Sequence, residues 1–157
     1  MKKVCFTGHR YIKDINLIIK KLLKIIENLI NEGAEDFYTG GALGFDTLCS
    51  VAVLNMKNVH PQIKLHLVLP CSNAEQTEEW SDEQKNLFDK IISLADSVEY
   101  TSEYYTKNCM MLRNARLVEL TDVCVCYYTG KYISGTGQTI RMAIKKGITI
   151  YNLYDFS

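Results

Sequence analysis

The sequence predicts an α/β fold of three layers, with a mainly parallel sheet and helices on both faces. Two observations lead to it. Short β-branched and apolar runs alternate with helix-period stripes from one end of the chain to the other. Glycine and small hydroxyl residues follow several of the runs, as strand-to-helix turns require. Parallel neighbours need a crossover, and right-handed crossovers place helices on the sheet faces.

Residues 3–7 read as the first strand, stopped by Gly8. Over 14–32, Ile15, Ile18, Ile19, Leu22, Leu23, Ile26, Leu29 and Ile30 form the stripe of an amphipathic helix. Asp14 is placed to cap its start, and Gly33 stands where a C-terminal cap is expected. Residues 37–39 are a second strand, ending at Gly40 and Gly41, and a helix follows over 43–56. Residues 63–69 make a third strand closed by Pro70. A polar segment and a helix over 81–95 lead to a short fourth strand, 97–100. A tyrosine-rich stretch then enters a helix over 109–120. Residues 123–128 are apolar almost throughout, which predicts a central strand buried on both faces. Ser134 to Gly137 precede a helix ending at Lys146, and 149–153 form a sixth strand.

No linker, repeat or low-complexity segment interrupts the pattern, so residues 1–157 are expected to form one domain. Eighteen basic side chains balance eighteen acidic ones, which argues against a general nucleic-acid binder. A local positive pocket is still compatible with that sum. No run approaches the roughly 18 apolar residues of a membrane span, and the start lacks the shape of a signal peptide. A cytoplasmic location is the expectation. The six cysteines form no pair of C-x-x-C clips; buried, reduced thiols are expected, with no metal and no resident cofactor.

In such folds ligands bind beyond the carboxyl ends of the strands. Thr7, Gly8, His9 and Arg10 follow the first strand there; Gly40, Gly41, Ala42, Gly44 and Asp46 follow the second. Ser134, Gly135, Thr136, Gly137 and Thr139 come after the fifth. Glycine lets a backbone approach a phosphate, and hydroxyls add donors, although glycines also end strands for steric reasons alone. The spacing matches neither the dinucleotide fingerprint nor the P-loop. Arg10 can pair a phosphate or be a surface charge; His9 can bond a ligand, move a proton or satisfy a loop carbonyl. Asp46 can hold a ribose hydroxyl, orient the glycine loop, or simply sit well at a positive helix end. Arg113 and Asn114 interrupt an apolar helix face; Arg113 can reach an anion, pair with Glu119 or stand in solvent. Trp80 can stack on a base or cover the core. Arg116 and Arg141 read as solvated.

Taken together, Thr7 to Arg10, Gly40 to Asp46, Pro70-Cys71 with Glu79-Trp80, Cys109 to Asn114 and Gly135 to Thr139 resemble the YpsA-like (DUF1273) branch of the SLOG superfamily. That superfamily also holds the Lonely Guy phosphoribohydrolases and the DNA-processing protein DprA. The resemblance implies a Rossmann-like fold, a pocket for a nucleotide-derived small-molecule ligand, and a homo-oligomer. The hydrolase branch uses an arginine, matched here by Arg113, and a glutamate in a glycine-rich turn, where this chain has Thr139. A threonine supplies no carboxylate for a ribosyl cation or for water. The expectation is therefore binding of an ADP-ribose-type or cyclic-nucleotide signal, to sense or sequester it. The alternatives are N-glycosidic hydrolysis of a nucleoside 5′-monophosphate, with Asp46, Glu78 or Glu79 as the carboxylate, and a DprA-like nucleic-acid module.

Overall fold

The computed structural model describes residues 2–72 and 74–156. Six strands, β1 (Lys3–Gly8), β2 (Asp36–Thr39), β3 (Lys64–Leu69), β4 (Ser97–Tyr100), β5 (Val123–Tyr127) and β6 (Thr149–Asn152), form one sheet. Every neighbouring pair is parallel, in the order β4-β3-β2-β1-β5-β6. Five helices alternate with them: α1 (Ile15–Asn31), α2 (Phe45–Met56), α3 (Asp82–Leu94), α4 (Cys109–Leu120) and α5 (Gly135–Lys146). The fold is the doubly wound, Rossmann-like α/β arrangement.

The strand order reverses between β1 and β5. From β1 the chain winds outward through β2, β3 and β4, then α4 carries it back to β5 on the other side of β1. Helices α1, α2 and α3 pack side by side, and α4 packs against α5. Period-two alternation sorts the core accordingly. Val4, Phe6, Val123, Val125 and Tyr127 join the cluster under α1 and α2, while Cys5, Cys124 and Cys126 join Leu117, Val118, Ile140 and Ala143 of α4 and α5. All five residues of β5 are buried, as its unbroken apolar run predicts.

Helix α1 buries Ile18, Leu22, Ile26, Leu29 and Ile30, and each fully buried side chain of this kind contributes about 1.5–3 kcal/mol. Asp14 occupies its cap position differently from the expectation. The residue is left-handed, with φ 55°, and its side chain caps nothing. Its carbonyl alone receives the amides of Leu17 and Ile18. Gly33, just past the helix, has φ 99°, the left-handed conformation for which glycine is suited. Ser81 and Gln84 cap α3 reciprocally, at 3.1 and 2.9 Å. Lys146 Nζ donates to the carbonyls of Val118, Glu119 and Thr121 and thereby closes the C-terminal end of α4. All six cysteines are buried and unbridged, as expected. Among the described residues no helix is long and apolar enough to cross a membrane.

Candidate functional site

The first loop to consider runs from β1 to α1. Thr7 and Gly8 end the strand, and the Phe45 amide of α2 donates to the His9 carbonyl at 3.2 Å. The loop is thereby tied to the start of α2, where Gly44 has φ 86°. A side chain at Gly44 would run into the backbone of Arg10, so both the torsion and the close approach require glycine.

His9 then spans the reversal point of the sheet. Its Nε2 accepts the Thr129 amide at 3.1 Å, beside the Thr129 hydroxyl. A backbone amide can only donate, so Nε2 carries the lone pair and the proton sits on Nδ1. Burial, with Lys131 nearby, holds the ring below its ordinary value and keeps it neutral. His9 therefore presents an Nδ1–H donor and locks the β1 loop to the β5 loop.

Arg113 comes from the first half of α4 and is only 7% exposed. Its Nη1 donates to the Gly40 carbonyl, its Nε to Asn114 Oδ1 at 2.8 Å, and its Nη2 faces Met110 Sδ at 3.7 Å. A Cβ on Gly40 would lie 2.5 Å from Nη1, so glycine there is what admits the guanidinium. Asn114 Nδ2 donates in turn to the Gly135 carbonyl and to Gln138 Oε1, at 3.4 and 3.3 Å, fastening α4 to α5. Among the described residues Arg113 has no carboxylate within ion-pair distance. The pairing with Glu119 falls instead to Arg116, which also chelates Glu99.

Asp46, in the first turn of α2, is 5% exposed. Oδ2 accepts the Ala42 amide at 3.2 Å. Burial pushes its carboxyl from 3.8 up to about 6, against the opposing pull of Arg113 and the amides of Ala42 and Gly40. On α5, Ser134 Oγ caps the Gly137 amide at 2.9 Å. The amides of Gly135 and Thr136 belong to the first turn, which a helix cannot satisfy internally.

These parts surround one cleft of about 200 Å³ beyond the ends of β1 and β5, where a doubly wound sheet takes its ligands. Thr7, Gly8, His9, Arg10, Ala42, Asp46, Arg113, Asn114, Ser134, Gly135 and Thr136 line it, with Leu117. The other sequence-predicted residues stand outside that lining. Gly40 acts from behind, through Arg113, and Gly41 packs against Leu69. Gly44 holds the loop junction, and Gly137 lies beneath the Tyr132 carbonyl. Thr139 is fully buried, and its hydroxyl bonds back to the Gly135 carbonyl at 3.0 Å. Trp80 packs edge-on against Phe88 and lines a separate, apolar groove of about 640 Å³ between α2 and α3. Arg10 borders both spaces. Glu78 faces a third hollow beside Lys85, and Glu79 lines none of these spaces. Sequence reasoning did not single out Leu117 for the site; a leucine on a helix face carries no signal of its own.

A parallel sheet of this order, with a polar cleft at its reversal point, defines a Rossmann-like α/β protein. The chain belongs to the YpsA (YspA SLOG) family, whose model matches residues 7–152. It is similar to the SPbeta prophage-derived protein YoqJ of Bacillus subtilis, with 33% identity over 138 residues, 80% of this chain and 79% of that protein. It is also similar to UPF0398 proteins. The one from Halalkalibacterium halodurans is 29% identical over 118 residues, 74% of this chain and 61% of that protein. The one from Ligilactobacillus salivarius is 29% identical over 136 residues, 85% of this chain and 73% of that protein. Among solved structures, DNA processing protein A from Helicobacter pylori superposes with a TM-score of 0.65 at 21% identity. That likeness covers 95% of this chain and 63% of the other, and it is a likeness of fold.

Proposed function

We propose that the cleft between β1 and β5 binds the phosphate-bearing end of a nucleotide-derived small molecule, such as an ADP-ribose-type or cyclic-nucleotide signal, and that the protein senses or sequesters it. The observation that carries this reading is Arg113. A guanidinium this buried, with no carboxylate in ion-pair reach, is costly unless an anion completes it. The free amides of Gly135 and Thr136 add the positive end of a helix on the same cleft. His9, in the same lining, supplies a neutral donor. A cleft of about 200 Å³ is smaller than the roughly 300–1,000 Å³ of a site enclosing a whole drug-sized ligand. It suits a phosphate and the sugar next to it, with the base outside.

Thermal-shift and calorimetric titration with ADP-ribose, cyclic nucleotides and nucleoside monophosphates tests the reading, on wild type and Arg113→Gln. Saturable binding that Arg113→Gln abolishes is the expected result. Failure of the whole panel to bind, or equal binding by Arg113→Gln, contradicts it.

A second reading, N-glycosidic hydrolysis of a nucleoside 5′-monophosphate, is supported by one observation. Of the three carboxylates considered for that chemistry, Asp46 alone lines the cleft, and its carboxyl is raised into a range useful to a general acid. Against it, Thr139 offers no carboxylate, and its hydroxyl is spent on Gly135. Mass spectrometry for free base after prolonged incubation decides between the two. A product that Asp46→Asn eliminates would establish hydrolysis.

A further inference from the structure

Asp46 and Arg113 both line one small cleft without forming an ion pair. If the cleft is built for an anion, a carboxylate on its wall is a contradiction that needs a physical resolution. We propose that Asp46 binds its ligand as the protonated acid, donating its O–H to an anionic oxygen of the ligand, so that capture takes up one proton. The inference rests on the anion-binding reading above and adds a charge state to it.

The geometry supports it in three ways. Asp46 lines the cleft itself, beside the buried Arg113, with Oδ2 held by the Ala42 amide. The side chain is almost wholly buried, so water screens it little. The cleft holds only about 200 Å³, so a bound anion has Asp46 as a close neighbour, and like charges repel strongly in a partly dehydrated site. Every charged or titratable neighbour is consistent with this. From α4, Arg113 favours the carboxylate in the empty cleft, but a bound anion competes for that same charge. From β1 and α2, Cys5 and Cys49 are thiols that feel Asp46 and carry no compensating positive charge. From the β1 loop, His9 is held neutral and Arg10 is exposed at the rim. From α5 the cleft receives Ser134, Gly135 and Thr136, none of them charged. Burial already favours the acid in the empty site, and an arriving anion favours it further.

The test needs probes with no proton of their own to gain in this range. Sulfate and ADP-ribose both qualify, since neither sulfate nor a phosphodiester titrates near neutrality. Affinity is measured for wild type and Asp46→Asn at pH 5.5, 6.5, 7.5 and 8.5. Wild-type affinity is expected to fall with rising pH, approaching about tenfold per pH step, the limit for one linked proton. Asp46→Asn is expected to keep the low-pH affinity throughout. In wild type alone, calorimetry in buffers of different ionisation enthalpy should show proton uptake on binding. The NMR titration midpoint of the Asp46 carboxyl carbon should also move up when sulfate is added. Binding with a flat pH profile overturns the proton coupling and leaves the anion site standing. An unchanged slope in Asp46→Asn overturns it too, by transferring the effect to His9. No binding of either probe at any pH overturns both the coupling and the reading beneath it.

Discussion

Replacing Asp46 with asparagine should make the protein more stable at pH 8 and leave its stability near pH 4 almost unchanged. The raised carboxyl fixes the sign. A group that holds its proton more tightly in the folded state contributes stability below its unfolded value, 3.8, and loses it as pH rises through about 6. Between those limits the loss is about 3 kcal/mol, at roughly 1.4 kcal/mol for each tenfold change. Asparagine keeps an oxygen for the Ala42 amide, so the local bond survives while the buried charge disappears. Part of the gain offsets the amide nitrogen, which needs a partner in the cleft, so a net rise of about 1–3 kcal/mol is expected. For a chain of this length that corresponds to about 3–10 °C in melting temperature. Urea denaturation of both proteins at pH 4.5, 6 and 8 checks it. Parallel loss of stability in both, or a variant less stable than wild type at pH 8, would show that Arg113 already neutralises the carboxylate, and the argument from burial would fail.

Other perturbations separate packing from charge. Gly40→Ala should cost about 1–3 kcal/mol in denaturant melts, because its Cβ meets the Arg113 guanidinium, and it should weaken anion binding as well. Gly33→Ala, with nothing near its Cβ but a φ of 99°, should cost about 1 kcal/mol and leave binding untouched. Arg113→Met should lose the anion and also cost about 1–3 kcal/mol, since the Gly40 carbonyl and Asn114 Oδ1 lose their buried donor; a melt and a titration on one sample compare the two. His9 should show an Nδ1–H signal in nitrogen NMR and titrate below 6.5. Its contribution to stability should be complete above that value and lost as pH falls through the lower folded one. Ser134→Ala should cost about 1 kcal/mol through the lost cap on Gly137 and loosen the first turn of α5, read by amide exchange.

Much of the fold is legible in the sequence because two periods and a set of turns specify it. The unbroken apolar run of β5 puts it in the middle of the sheet, and the glycines after β1, β2 and β5 place three turns at one edge. Periodicity does not say how far an element reaches. Ser134 to Gly137 reads as a loop, yet Gly135 to Gly137 form the first turn of α5, because Ser134 caps them and nothing local prevents a helix. Asp14 has the right residue type for a cap but a left-handed backbone, which turns its carboxylate away from the helix amides. For the site, residue type pointed to Arg113 and Asp46, but only tertiary packing reveals that both are buried and, among the described residues, without an ion-pair partner. Trp80 follows a strand on the ligand edge, as the sequence suggests, yet the wall formed by the β1 loop on α2 separates it from the cleft. The link between His9 and Thr129 depends on β1 and β5 being neighbours. That adjacency comes from the return of α4 across the sheet, which no local pattern encodes.

The central claim is that Arg113 and the first turn of α5 hold an anion between β1 and β5. A crystal structure of the protein grown with ADP-ribose tests it most directly. The account predicts a phosphate group touching Arg113 and the amides of Gly135 and Thr136, with the adenine outside the cleft. A ligand seated in the Trp80 groove with the β1–β5 cleft empty would contradict it.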